Sequence, residues 1–232
     1  NAGNSGTLAR LILGMLVKTK VPVKLIGDKS LSKRDFSRVI KPLRLFGADI
    51  KSNNNLIPIK IKGTNFLRPI TYHEHIGSAQ VKSCLILAAL NTPGITVVKA
   101  KKSRNHTELM LKFLKYPLKV KKSENYEIIS IKGLKQFDAF DYNVPGDISS
   151  ASFFIVLTLL SKKSSLIINN VNINPSRDGV IRILNKMGAK IKLKDKKLYN
   201  GELIANIHVK SNNNLKSVNC PSTLNSSAID EF

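Results

Sequence analysis

The feature that most constrains this chain is an internal repeat. Three apolar helical runs, at 8–17, 81–90 and 151–160, each follow small or hydroxylated residues: Asn4-Ser5-Gly6-Thr7, Gly77-Ser78 and Asp147-Ile148-Ser149-Ser150. With Thr7, Ser78 and Ser149 as equivalent starts, the spacings are 71 and 71. A β-rich segment follows each run, at 21–26, 95–98 and 166–168. A second helix then opens on a Ser/Lys/Arg cluster, with Arg34, Arg104 and Arg177 spaced by 70 and 73. Gly47 and Gly188 sit where a helix C-terminal stop is expected. Alternating segments such as Leu56-Ile57-Pro58-Ile59-Lys60-Ile61 and Tyr126-Glu127-Ile128-Ile129-Ser130-Ile131 then read as hairpin strands. The predicted unit is helix, strand, helix and two-stranded hairpin, about 71 residues long and present three times. That makes the chain an α/β repeat protein.

Composition narrows the partners. Of the 232 residues 42% are apolar, enough for a packed core. Lys and Arg number 38 against 15 Asp and Glu, a net charge of +23. Such a balance implies an anionic partner, either nucleic acid or small phosphorylated and carboxylated molecules. Only 8 of the cations are Arg and 30 are Lys, alongside 22 Asn. Arg supplies bidentate phosphate and base contacts, so a Lys-dominated excess reads as solvated surface. The Lys tracts at 119–122 and 192–197 read as hairpin edges protected from edge-to-edge pairing. Aromatic residues are 6% with no Trp, which leaves no stacking platform for single strands, and no helix-turn-helix, zinc finger or RNP motif occurs. Nucleic acid is therefore not the expected partner.

Cys84 and Cys220 form no disulfide framework or metal knuckle, which fits a reducing, cytoplasmic setting. The longest nearly apolar stretch has ten residues, too short to span a bilayer. The chain opens on Asn1 without Met or leader and ends abruptly after Ile229-Asp230-Glu231 at Phe232, so a piece of a longer protein is expected.

Helix N-termini carry unpaired N–H groups and partial positive charge, and all three first helices start with residues small enough to admit an anion. Gly6 exposes the backbone without a Cβ, and Arg10 lies one turn in; ordinary capping by Asn4, Ser5 or Thr7 is the alternative. Ser78-Ala79-Gln80 offers a hydroxyl and a carboxamide that would hold hydroxyls or phosphate, or simply cap the helix. Arg34 and Arg104 stand at repeat-equivalent helix starts, able to fork onto carboxylate or phosphate. Neither a P-loop nor a G-x-G-x-x-G motif is present. His73-Glu74-His75 has no third ligand nearby and reads as a polar loop, so no metal is expected. Asp230 in an apolar-flanked segment is either a partly desolvated base or a helix cap.

Taken together, Asn4-Ser5-Gly6-Thr7-Leu8-Ala9-Arg10, Gly27-Asp28-Lys29-Ser30-Leu31-Ser32-Lys33-Arg34, Ser78-Ala79-Gln80-Val81-Lys82-Ser83, Ser103-Arg104-Asn105-His106-Thr107-Glu108 and Ile229-Asp230-Glu231 resemble the 5-enolpyruvylshikimate-3-phosphate synthase family, in register along the whole chain. The resemblance implies an inside-out α/β barrel of repeated units in two domains, with helix N-termini aimed at the cleft between them. It also implies transfer of the enolpyruvyl group of phosphoenolpyruvate to the 5-hydroxyl of shikimate 3-phosphate, without a cofactor, in a cytoplasmic monomer. By the same resemblance Gly6, Arg34 and Gln80 contact phosphoenolpyruvate. Ser78, Ala79, Gln80, Ser103, Arg104 and Asp230 hold shikimate 3-phosphate, and Asp230 takes the hydroxyl proton. Residues 1–143 would be most of a first, substrate-binding domain and 144–232 part of a second.

The family's early Lys-Ser segment and its later Lys/Glu/Arg and His/Arg motifs lie outside this sequence, so the 232 residues alone are expected to be inactive. UDP-N-acetylglucosamine enolpyruvyl transferase is the nearest alternative, but its Cys-bearing loop is absent here. A basic nucleic-acid-binding protein is the second alternative.

Overall fold

The computed structural model describes residues 1–212 and 214–231, with the side chain of Thr223 left out. The chain divides into two compact units, Asn1–Ser103 with Leu114–Asp138, and Arg104–Phe113 with Ala139–Phe232. The boundary expected after residue 143 thus differs from this division in two ways. The second unit begins five residues earlier, and it also takes the helix at 106–113.

In the first unit, α1 (Gly6–Met15), β1 (Val23–Leu25), α2 (Ser37–Leu45), β2 (Asp49–Lys51) and β3 (Ile59–Lys62) make one repeat. β3 lies between β1 and β2, antiparallel to both. Its alternation places Ile59 and Ile61 in the core and Lys60 and Lys62 in solvent. The next stretch contributes β4 (Thr71–Glu74), α3 (Ala79–Leu90), β5 (Ile95–Lys101), β6 (Leu118–Lys122) and β7 (Tyr126–Lys132), in sheet order β4-β5-β7-β6. β4 runs parallel to β5. It contains His73 and Glu74, where the sequence reads as a polar loop. Two half-buried side chains gave no alternation to betray a strand whose ladder comes from β5.

α3 is buried nearly all round, including Cys84, Leu85 and Ile86. It packs on α1 so closely that a Cβ at Gly14 would strike the backbone carbonyl of Cys84. Burial pushes the Cys84 thiol up to about 12, which removes it as a nucleophile.

The second unit holds α4 (His106–Phe113), α5 (Ile148–Leu160), β8 (Ser165–Asn172), α6 (Gly179–Lys186), β9 (Lys190–Tyr199), β10 (Glu202–Lys210) and the short α7 (Asn225–Ala228), followed by a 3-10 turn at Ile229–Glu231. β10 is central, antiparallel to β8 and β9. Ile155 and Leu159 of α5 meet Val180, Ile181 and Leu184 of α6 over Ile207 and Val209 of β10.

Each repeat is therefore helix, strand, helix and hairpin, and in each the last hairpin strand (β3, β7 or β10) lies between the repeat's first strand and its hairpin partner. The Lys tracts fall on β6 and β9, both outermost in their sheets. No described helix is long and apolar enough to cross a membrane.

Candidate functional site

Two clusters of candidate residues form, one in each unit. In the first unit the Gly27–Arg34 segment is shaped locally. Asp28 Oδ1 accepts the Leu31 N–H at 2.7 Å, the Leu31 side chain is fully buried, and the turn delivers Arg34 towards the start of α1. Ser5 caps α1 by accepting the Leu8 N–H at 3.1 Å. Arg34 donates to Asn4 Oδ1 at 3.4 Å, and Arg10 donates to the Asp35 carbonyl at 3.3 Å while lying 5.0 Å above the Phe36 ring.

Gly6 sits beneath both guanidinium groups. A Cβ there would lie 2.9 Å from Arg10 Nη1 and 3.0 Å from Arg34 Nη1. Burial, then the charges of Arg38 and Arg34, pull Arg10 below its ordinary value, with Asp35 opposing. A bare helix start under two arginines that repel one another is a place an anion stabilises.

Gln80 joins this cluster from α3. Its Oε1 accepts from Arg10 Nη1 at 2.8 Å, and its Nε2 donates to Thr7 Oγ1 at 2.8 Å. Gly6, Arg34 and Gln80 are thus brought together around Arg10. Arg10 and Thr7 belong with them although they were not among the expected ligands. The available signal was Arg10 one turn inside a bare helix start, in a chain with eight arginines.

Ser78 caps α3, its Oγ accepting the Val81 N–H at 3.4 Å, with Ala79 as the first helical residue. Glu74 shapes the approach: its buried carboxylate accepts N–H bonds from Ile76, Gly77 and Ser78 at 3.1, 2.6 and 3.1 Å. No group of three or more His, Cys, Asp or Glu side chains that could hold a metal ion occurs among the described residues. Ser103 Oγ is buried with no hydrogen-bond partner among the described residues.

Arg104 opens the second unit. Its Nη2 meets Asp230 Oδ2 at 2.5 Å. Arg177 reaches the same oxygen at 3.8 Å, donates to Asp147 Oδ1 at 3.1 Å and donates to Ser149 Oγ, which itself donates to Glu231. The Asp230 side chain is 46% exposed and stands between two arginines in a 3-10 turn.

The start of α5 also differs from expectation. Its cap is Asp147, which accepts the Ser150 N–H at 2.9 Å, so a carboxylate of the chain itself fills the place where an anion was expected. Burial raises the Asp147 carboxyl, but the Ser150 N–H and Arg177 outweigh it and hold it below the usual range.

Three copies of one helix–strand–helix–hairpin unit, with arginines gathered at helix starts, define an α/β protein of the enolpyruvyl transferase fold. The profile of the EPSP synthase (3-phosphoshikimate 1-carboxyvinyltransferase) family matches residues 1–225. A 3-phosphoshikimate 1-carboxyvinyltransferase of Ruthia magnifica subsp. Calyptogena magnifica is 46% identical over 231 residues, covering 99% of this chain and 52% of that protein. One from Legionella pneumophila (strain Corby) is 40% identical, with 100% and 53% covered. The solved EPSP synthase of Acinetobacter baumannii superposes with a TM-score of 0.85 at 41% identity, covering 99% of this chain and 52% of that one. The chain belongs to the EPSP synthase family. It spans about half the length of the curated relatives it matches. The UDP-N-acetylglucosamine and nucleic-acid alternatives are not favoured.

Proposed function

We propose that this chain is part of an enzyme that joins phosphoenolpyruvate to shikimate 3-phosphate through the 5-hydroxyl, releasing inorganic phosphate. The observation that carries the reading is the pairing of Arg10 and Arg34 over the bare backbone of Gly6, tied to Gln80 of the next repeat. Two guanidiniums and a helix N-terminus suit the phosphate and carboxylate of phosphoenolpyruvate. Ser78, Ala79, Gln80, Ser103 and Arg104 hold shikimate 3-phosphate. Asp230 accepts the 5-hydroxyl proton as that oxygen attacks C2 of phosphoenolpyruvate and C3 takes up a proton; loss of phosphate from C2 and of a proton from C3 then yields the enol ether. Clamping both anions supplies most of the rate by orientation and charge stabilisation. The remaining clamps and the acid that protonates C3 come from residues outside this sequence. The enzyme works in the cytoplasm as a monomer, with no nucleic-acid partner.

The test is phosphate release by the full-length protein. Release that requires both substrates together is the expected result. Release from either one alone, or none from the pair, overturns the reading.

A further inference from the structure

Among the described residues Asp230 has two cationic partners, and they differ in how firmly each is held. Arg104 makes the short contact and its side chain is 28% exposed; Arg177 stands at 3.8 Å and is 17% exposed. Arg177 is fixed from the other side by Asp147 Oδ1 and Ser149 Oγ at the start of α5. Arg34 has the same relation to the start of α1 in the first repeat, through Asn4. The placement of Arg177 therefore follows from the repeat.

Arg104 is assigned above to shikimate 3-phosphate, and the group of that substrate a guanidinium forks onto with most charge is its phosphate. A phosphate dianion arriving there competes with the Asp230 carboxylate for the same Nη2, and the more highly charged oxygen set wins. Were Arg104 the sole partner, substrate binding would release the carboxylate when its position matters most. The Arg177 contact has only to shorten by about 1 Å to become an ordinary charged hydrogen bond.

We propose that Arg177 is a positioning residue that keeps Asp230 in place once the substrate phosphate has taken Arg104. This rests on the function proposed above.

Kinetics of the full-length protein and crystal structures test it together. R177Q is expected to lower kcat at least 10-fold with KM for shikimate 3-phosphate within 3-fold, and R177K to recover most of the loss. A kcat of R177Q within 2-fold of the unmodified protein overturns the proposal, as does equal failure of R177K and R177Q. In crystals holding inorganic phosphate on Arg104, Asp230 should stay against Arg177 in the unmodified protein and leave by more than 2 Å in R177Q. An unmoved Asp230 in R177Q overturns the proposal without reference to turnover. An unmodified protein that makes no product would instead remove the functional reading, and the crystals would still decide the role of Arg177.

Discussion

The Gln80 carboxamide bridges two helices at their starts, accepting from Arg10 at 2.8 Å and donating to Thr7 at 2.8 Å. It therefore orients the guanidinium above Gly6 as well as standing where a ligand would reach it. Q80L would remove the acceptor and leave Arg10 facing Arg34 and Arg38 without that anchor. In the full-length protein we expect the KM for phosphoenolpyruvate to rise about 10-fold or more, the scale of a lost hydrogen bond to a charged group. An unchanged KM in steady-state assays would show that Gln80 does not orient the anion site.

Gly6→Ala places a methyl group 2.9 Å from Arg10 Nη1 and 3.0 Å from Arg34 Nη1. Both obstructing atoms are the far ends of flexible side chains, so the fold should tolerate the change with a Tm shift of about 2 °C or less. The anion site should not: phosphoenolpyruvate affinity is expected to fall several-fold, with shikimate 3-phosphate affinity retained. Calorimetric titration of each substrate checks the split, and equal losses for both would place Gly6 elsewhere in the reaction.

Arg104→Ala should weaken shikimate 3-phosphate by about 1.5–3 kcal/mol, as one charged hydrogen-bond set is lost. Asp230→Ala removes the carboxylate of the same pair and leaves Arg104 in place. We expect it still to bind shikimate 3-phosphate measurably while kcat drops about 10²-fold or more. A D230A protein that folds normally and turns over within a few-fold of the parent would show that the proton goes elsewhere.

The acid stability of the second unit should depend on Glu202. The residue is 4% exposed, and its carboxylate meets His106 Nδ1 at 2.6 Å and Asn174 Nδ2 at 3.2 Å. Burial alone would raise it, but the contacts from His106, Asn172 and Asn174 outweigh that and hold it below its usual value. A depressed carboxylate contributes stability that is present above the unfolded value of about 4.3 and is lost as pH falls through the lower folded one. The Tm gap between the unmodified chain and E202Q should therefore be full at pH 6 and close below about pH 4. A gap that stays constant with pH would mean that packing, not charge, is what Glu202 supplies.

α5 exposes a broad apolar face: Phe153 is 77% exposed, Leu157 63% and Leu160 68%. Its repeat counterpart α1 instead packs on α3. In a chain half the length of its relatives, such a face should bind a hydrophobic dye, and L157E with L160E should abolish most of that signal. Dye fluorescence unaffected by the pair would locate the exposed surface elsewhere.

The repeat and the class of fold were legible from residue pattern alone, because caps, helix periodicity and Gly stops are local and recur at a fixed interval. Ser78 as the cap of α3 and the hairpin alternation of Ile59 and Ile61 follow from nearest neighbours in the chain. Gly6, Arg34 and Gln80 were identifiable by motif, but their meeting was not: a hydrogen bond between residues 70 apart depends on how α1 packs against α3. β4 escaped notice for the same reason, since its hydrogen-bond ladder is supplied by β5 and not by its own alternation. The start of α5 resembles the other two in sequence, but Asp147 fills it, and Asp230, which reads as a partly desolvated base or a helix cap, meets two arginines. Local order is written in successive residues, whereas the charge environment of a side chain is set by whatever the tertiary fold brings within a few ångströms of it.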